Sequence, residues 1–324
     1  MKELSDPQHI DFIQWLKKTW NVEFDSIKDD VDIQGSPERT SERIVFKDTA
    51  DKEFLLEKFP VTRHGKRNQV AKALDYLAGN GLKAGHPYYK STVGEFLPFY
   101  GKNCFALSDF ITGTPLKRPE YLSLPRMGES MADFIIDLSM ASANIHTHLY
   151  FPPFSLGEYI YSLFSSMRRH NPSGHKRFLP YLEFLQNEGF MEDHEHLRLV
   201  FCHGDLHPLN VIWNRARVKA VIDWEFAGFK PDIYDAANLV GCAGIENPEG
   251  LGMPMVLSFI KRLLKTDIIS PRGWELFPEY ILAVRFAWLS EWLRKQDEEM
   301  IEMEACYMDI LMKNHLELKL LWNI

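Results

Sequence analysis

An aspartate at position 205, an asparagine five residues later and a second aspartate thirteen beyond that constrain this chain more than any other feature. They stand in His203-Gly204-Asp205-Leu206-His207-Pro208-Leu209-Asn210 and in Val221-Ile222-Asp223-Trp224-Glu225. Short apolar runs surround them, from Leu197 to Cys202, from Val211 to Asn214 and from Lys219 to Asp223. Such runs read as strands, which hold the polar residues between them on stiff backbone. A carboxylate, an amide oxygen and a second carboxylate are the groups that phosphoryl transfer from a metal-bound nucleotide uses. One carboxylate accepts the proton of an attacking hydroxyl, and the other two groups hold magnesium. Each residue alone has an ordinary turn or strand-end explanation. The three spacings together do not.

With 324 residues the chain is long enough for one large domain or two lobes. Apolar residues are 45% and charged residues 25% of the sequence, the composition of a folded globular protein. The formal net charge of −8 comes without any basic stripe, so nucleic acid is not an expected partner. The cysteines at 104, 202, 242 and 306 form no C-x-x-C pair, which fits a reducing compartment. The first residues lack a signal-peptide core and no apolar run reaches membrane-spanning length. A cytoplasmic protein with no membrane partner is the expectation.

Asp6-Pro7 marks a helix start, with Asp6 as N-cap. Arg43 to Phe46 and Glu53 to Phe59 read as a hairpin across the polar turn 47–52. Residues 69–77 read as a helix stopped by Gly79-Asn80-Gly81, and Cys104 to Leu107 as another strand. Thr112-Gly113-Thr114-Pro115 is the best linker candidate. Beyond it the pattern is helical: 130–148, a stretch near Tyr159, 180–186, 231–240, and two or three helices between 276 and 318.

The H-x-D-x-x-x-x-N spacing is similar to that of the protein-kinase catalytic loop, with Gly204 in place of its Arg. Asp223-Trp224-Glu225 in place of Asp-Phe-Gly makes the segment resemble the aminoglycoside phosphotransferase/choline kinase family of small-molecule kinases. The resemblance covers about two thirds of the chain in order and is most specific over 203–235. It implies an α+β, protein-kinase-like, two-lobed fold. Residues 1–112 would be a small antiparallel-sheet N-lobe that binds the nucleotide. Residues 113–324 would be a larger, mainly helical C-lobe.

The function it implies is an ATP-dependent transfer of the γ-phosphoryl group to a hydroxyl of a small metabolite: an amino sugar, sugar, amino alcohol or homoserine-like acceptor. Asp205 would be the catalytic base, with Asn210 and Asp223 as Mg2+ ligands. His203 and Asp235 would support the loop, and Glu225 would lie near metal or substrate. Lys58 is the candidate for the phosphate-binding lysine, although the usual register puts the basic residue directly after Leu56, where Glu57 stands. The following helix has no Glu to pair with it, leaving Gln69 or Asp75. The backbone of Asp109 and Ile111 would hold the adenine, while Phe110 packs. Gln34 to Ser41 carries one Gly and would cover the phosphates. In the C-terminal region Arg285, Trp288, Glu291, Trp292 and the acidic run Asp297-Glu298-Glu299 would help form the acceptor pocket.

Two other readings compete. A decayed, non-catalytic nucleotide-binding scaffold would account for Glu57 and the missing helical Glu. A metallohydrolase would use His146, His148, His203, Asp205 and His207. It would leave the Asn210 and Asp223 spacings unexplained.

Overall fold

The hairpin read between residues 43 and 59 is the centre of a five-stranded antiparallel sheet in the computed structural model, which describes residues 7–29, 31, 33, 40–152 and 154–324. This first part runs α1 (Pro7–Trp20), β1 (Phe24–Ile27), β2 (Glu42–Asp48), β3 (Glu53–Pro60), α2 (His64–Gly79), β4 (Phe99–Tyr100) and β5 (Asn103–Asp109). The strand order is β1-β2-β3-β5-β4. The Asp48 side chain closes the hairpin turn by accepting from the amides of Ala50 and Lys52, both at 2.9 Å. The proposed N-cap Asp6 and the phosphate-covering residues 34–39 lie outside the described residues.

Side chains alternate across a strand, and β3 uses both faces. Phe54 and Leu56 pack with Leu16 and Trp20 of α1 and with Phe46, Phe105 and Leu107. Phe59, on the other face, packs with Ala71 of α2, Cys104 and Ala106. The sheet is therefore buried on both sides. Each fully buried Phe or Leu contributes about 1.5–3 kcal/mol, so the register of β3 is firmly set.

The rest of the chain is mainly helical. It comprises α3 (Pro125–Ala141), α4 (Leu156–His170), α5 (Pro172–Asn187), α6 (Phe190–Asp193), β6 (Leu199–Cys202), β7 (Val211–Asn214), β8 (Arg217–Val221) and β9 (Gly228–Pro231). It continues through α7 (Tyr234–Glu246), α8 (Pro254–Leu263), α9 (Pro271–Glu275), α10 (Phe277–Lys295), α11 (Glu298–Lys313) and α12 (His315–Trp322). β6 pairs with β9, and β7 with β8, as two small antiparallel ladders. A buried ion pair ties α10 to α11. Arg285 Nε donates to Glu304 Oε2 at 3.0 Å, and Trp292 Nε1 to Glu304 Oε1 at 3.3 Å. This is the α+β, protein-kinase-like architecture of a small antiparallel sheet followed by a larger helical part. Among the described residues no helix is long and apolar enough to cross a membrane.

Several boundaries differ from the sequence reading. The helix expected over 130–148 is α3, which ends at Ala141; the backbone turns at Ser142, and His146 falls in a separate short 3-10 turn. The helix expected from Pro231 starts at Tyr234, because Pro231 closes β9 opposite Leu199, a strand-end position where its missing N–H is tolerated. The third strand near the site stops at Val221 rather than Asp223, since Asp223 leaves the extended region with φ 62°. The linker candidate is also no free strap. Thr114 N donates to Trp213 O at 2.7 Å, Arg215 N to Thr114 Oγ1 at 3.1 Å, and Lys219 Nζ to Thr112 O at 2.7 Å.

Candidate active site

β6 delivers the chain into the loop 203–207, and β7, β8 and β9 carry it through Asn210 and Asp223 back to α7. Asp235, on the first turn of α7, braces this loop. Its Oδ2 accepts from His203 N at 2.7 Å and its Oδ1 from Gly204 N at 2.8 Å. Burial pushes the Asp235 carboxyl up to about 6, and the two amide bonds work against that rise.

His203 is fully buried. Its Nδ1 accepts from Asp205 N at 3.2 Å, which leaves Nε2 to carry the proton and donate to Ile222 O at 2.9 Å. The imidazole thus ties the Asp205 loop to the residue before Asp223 and stands edge-on to Trp224, 4.6 Å between centroids. Gly204 has φ +83°, and a Cβ there would meet Phe226 O at 2.1 Å. The side chain that protein kinases carry at this point has no room here.

Asp205, Asn210 and Asp223 border one cleft of about 1500 Å3. Asn210 Nδ2 donates to Asp205 O at 2.8 Å and to Asp205 Oδ2 at 3.2 Å, which commits the Asn210 amide oxygen as the atom for a cation. Asp223 adopts the left-handed conformation, ψ 49°, a region Asp tolerates better than most residues. It borders both this cleft and a narrower recess under the sheet. An amide oxygen and carboxylates form the hard, all-oxygen donor set that suits Mg2+. His207 Nε2 lies 3.7 Å from Asp205 Oδ1.

Glu225 is held by a cluster of cations from the start of α2: Arg67 at 3.4 Å, Arg63 at 3.6 Å and Lys66 at 3.7 Å. This bond set joins the sheet-bearing part to the catalytic loop. Lys230 went unremarked in the sequence. It is buried, its Nζ donates to Phe226 O at 2.5 Å, and it lies over the rings of Phe154 and Tyr234 at 5.4 Å each. Burial lowers its pKa. A lysine at the end of a short strand gives no sequence sign of this role.

The nucleotide side differs from expectation. Lys58 stands on the α1 face of β3, pairing with Glu42 at 3.1 Å, and does not border the recess. Alternation puts Leu55 and Glu57 on the recess instead. Neither suggested partner meets Lys58: Gln69 donates to Tyr150 O, and Asp75 pairs with Lys90 at 2.9 Å. The α2 residues that do border the recess are Arg67 and Leu74.

Asp109 points its carboxylate at Tyr89 OH, 2.7 Å, and Lys52, 2.9 Å, and its carbonyl already meets His86 Nε2 at 2.7 Å. Burial lowers the pKa of His86, so this neutral ring donates its Nε2 proton to that carbonyl. Ile111 does border the recess, and so does Phe110, which the sequence reading had only packing. Ser108 Oγ lies in the same wall, buried and with no hydrogen-bond partner among the described residues. Such an atom is one that a bound polar ligand satisfies. The recess itself is tight, about 60 Å3.

Trp288, Glu291 and Trp292 border the large cleft, the two indoles 6.0 Å apart. Arg285 does not; it is buried behind Trp288. The acidic run faces elsewhere: Asp297 caps α11 by accepting from Met300 N at 3.1 Å, and Glu298 and Glu299 form its first turn. The metallohydrolase cluster does not assemble. Among the described residues only Glu188, Glu279 and His315 bring three possible metal-ligating atoms together.

A family model described as the phosphotransferase enzyme family matches residues 32–268. No curated protein matches the chain significantly. Solved structures match over nearly the whole length at low identity. Aminoglycoside 2'-phosphotransferase-IIIa with GDP superposes with a TM-score of 0.66 at 16% identity, covering 96% of this chain and 100% of that one. An aminoglycoside phosphotransferase from Alicyclobacillus acidocaldarius subsp. acidocaldarius DSM 446 gives 0.64 at 13%, covering 94% and 95%. Amicoumacin kinase hAmiN, solved with AMP-PNP, Ca2+ and Ami, gives 0.63 at 13%, covering 95% and 94%.

Proposed function

Because the chain belongs to the phosphotransferase enzyme family and is a phosphotransferase of small-molecule substrates, we propose that it moves the γ-phosphoryl group of ATP to a hydroxyl of a small metabolite. The observation that carries this reading is the convergence of Asp205, Asn210 and Asp223 on one cleft. Residues 1–112 serve as the nucleotide lobe and residues 113–324 as the catalytic and acceptor lobe. The protein works in the cytoplasm.

The acceptor hydroxyl reaches Asp205 from the large cleft. As the acceptor oxygen bonds to the γ-phosphorus, the bond from that phosphorus to the β–γ bridging oxygen breaks and ADP leaves; the hydroxyl proton passes to the Asp205 carboxylate, whose rotamer Asn210 fixes through Nδ2. Positioning supplies most of the rate in such transfers. Asn210 and Asp223 would hold Mg2+, which would supply positive charge to offset that of the triphosphate. His203 and Asp235 hold the loop so that Asp205 stays aimed. Glu225 anchors the start of α2 beside the metal-binding residues.

For the acceptor, the cleft offers Phe154, Tyr159, Tyr234 and Trp288 as apolar faces with Glu291 among them. Amino sugars, sugars, amino alcohols and homoserine-like acceptors present both C–H faces and polar groups, and suit such a wall. The neighbours solved with kanamycin, spectinomycin and amicoumacin are of this chemical kind. Magnesium-dependent ATP consumption across a panel of hydroxylated acceptors tests the reading. Turnover with one acceptor class, lost in Asp205→Ala, supports it. One observation favours the alternative of a decayed nucleotide-binding scaffold: Glu57 occupies the place of the expected lysine. ATP binding with no turnover on any acceptor would establish that alternative.

A further inference from the structure

The recess beside Asp223 is bordered by two arginines and a glutamate whose positions reverse the usual arrangement of a strand lysine paired to a helical glutamate. We propose that Arg67, assisted by Arg43, supplies the positive charge that binds the nucleotide phosphates, and that Glu57 on β3 holds the Arg67 side chain in place. This deepens the kinase reading and rests on it.

Four observations carry the inference. First, the inward face of β3 presents Leu55, Glu57 and Phe59, so the strand offers no cation there, and Lys58 is turned outward to Glu42. Second, Arg67 is 5% exposed, and its guanidinium lies over the Phe59 ring at 4.8 Å. An arginine buried this deeply between the sheet and α2 is oriented by stacking rather than by solvent. Third, Arg43 is the cross-strand partner of Glu57 and borders the same recess, so both arginines flank one carboxylate. Fourth, the recess is also bordered by Asp223, the proposed metal ligand. A triphosphate held through a metal at Asp223 would lie beside these guanidinium groups.

The chemistry suits the role. A guanidinium has five donors in a planar fork that matches phosphate oxygens two at a time. Glu57 is half-buried in the same wall, where its Oε2 accepts from Tyr88 OH at 3.3 Å; burial raises its pKa, and the nearby charges of Arg67 and Arg43 work against that rise. This arrangement puts the carboxylate on β3 and the phosphate-binding cation on α2.

The test is the phosphate dependence of binding. Titration calorimetry with ATP–Mg2+ and with adenosine is carried out on the wild type, Arg67→Met, Arg43→Met and Lys58→Met, with circular dichroism to confirm folding. Arg67→Met weakens ATP–Mg2+ about tenfold or more, the loss of a charge-assisted contact. It leaves adenosine within about twofold, since a nucleoside lacks the phosphates such a contact serves. Arg43→Met shows a smaller loss of the same kind, and Lys58→Met shows none. An arginine that merely supports the fold would weaken both ligands together, and that result overturns the proposal. So does a phosphate-selective loss in Lys58→Met with none in Arg67→Met. Should Arg67→Met fail to fold, Arg67→Lys and Arg43→Met decide by the same comparison. A wild type that turns over ATP while Arg67→Met binds it normally overturns this inference alone. A wild type that binds no nucleoside triphosphate overturns the kinase reading as well.

Discussion

The loop proposed as catalytic borders the large cleft and the wall proposed to hold the nucleotide borders the narrower recess, with Asp223 on both, yet the two keep their chemistry by different means. In residues 203–235 every functional atom is fixed by short-range backbone geometry: amide bonds to Asp235, a left-handed Asp223, and a glycine pressed against a carbonyl. These features allow almost no substitution. On the nucleotide wall the requirement is only for a cation near phosphates and a carboxylate to hold it. Two elements meet there, β3 and α2, and either can carry either charge. The lesson is that directional chemistry fixes residue identity at a position, whereas electrostatic chemistry fixes only the sum of charges in a neighbourhood.

The sharpest way to break this contrast is Asp205→Ala. It should lower kcat about a thousandfold, within the range of a lost general base, while nucleotide affinity changes little; steady-state kinetics beside calorimetry would read both. Retained turnover would remove the directional half of the argument. Next in size is Gly204→Ala. Its methyl would press on Phe226 O in a left-handed backbone, costing about 3 kcal/mol of stability, visible as a lowered urea midpoint. A midpoint equal to wild type would show that the loop has slack.

Asp235→Asn sharpens the comparison through pH. The folded carboxyl titrates at about 6, above its unfolded value of 3.8. The folded state therefore holds the proton more tightly between those values. Stability contributed by this group is greatest below about pH 4 and falls as pH rises toward 6, by roughly 2–3 kcal/mol. The wild type should lose that much relative to Asp235→Asn across the window in urea unfolding, and parallel curves would refute the assignment. The smallest effect belongs to Glu225→Gln, on the electrostatic side. The two partners at the edge, Arg63 and Lys66, are exposed. Only the Arg67 contact is buried on both sides, so a rise of about threefold in nucleotide KM is expected. A hundredfold effect would mean that Glu225 acts directionally after all.

The same contrast explains what the sequence made legible. Asp205, Asn210, Asp223 and Asp235 lie within one continuous stretch, and their distances along the chain translate into distances in space because short strands and turns connect them. Strands such as β3 were legible from their apolar residues. The direction of each charged side chain at a strand end was less so. Lys58 and Glu57 differ by one residue and therefore by a whole face of the sheet, and the hydrophobic contacts of Phe54, Leu56 and Phe59 decide between them. Arg67 was hidden for another reason. Its partner Glu225 is 158 residues away in sequence, and no local pattern announces such a meeting. Lys230 was hidden likewise by aromatic neighbours from separate elements.

One consequence follows from the segment between the sheet and the helices. Residues 112–114 are laced to the β7–β8 hairpin, and a Cβ on Gly113 would run into Ile212 at 2.6 Å. This join is riveted rather than hinged. The sheet cannot swing away as a free lid, and admitting a base must rely on slower, smaller breathing elsewhere along the groove. Association with ATP should then be well below the diffusion-limited rate, and an adenine once seated should leave slowly.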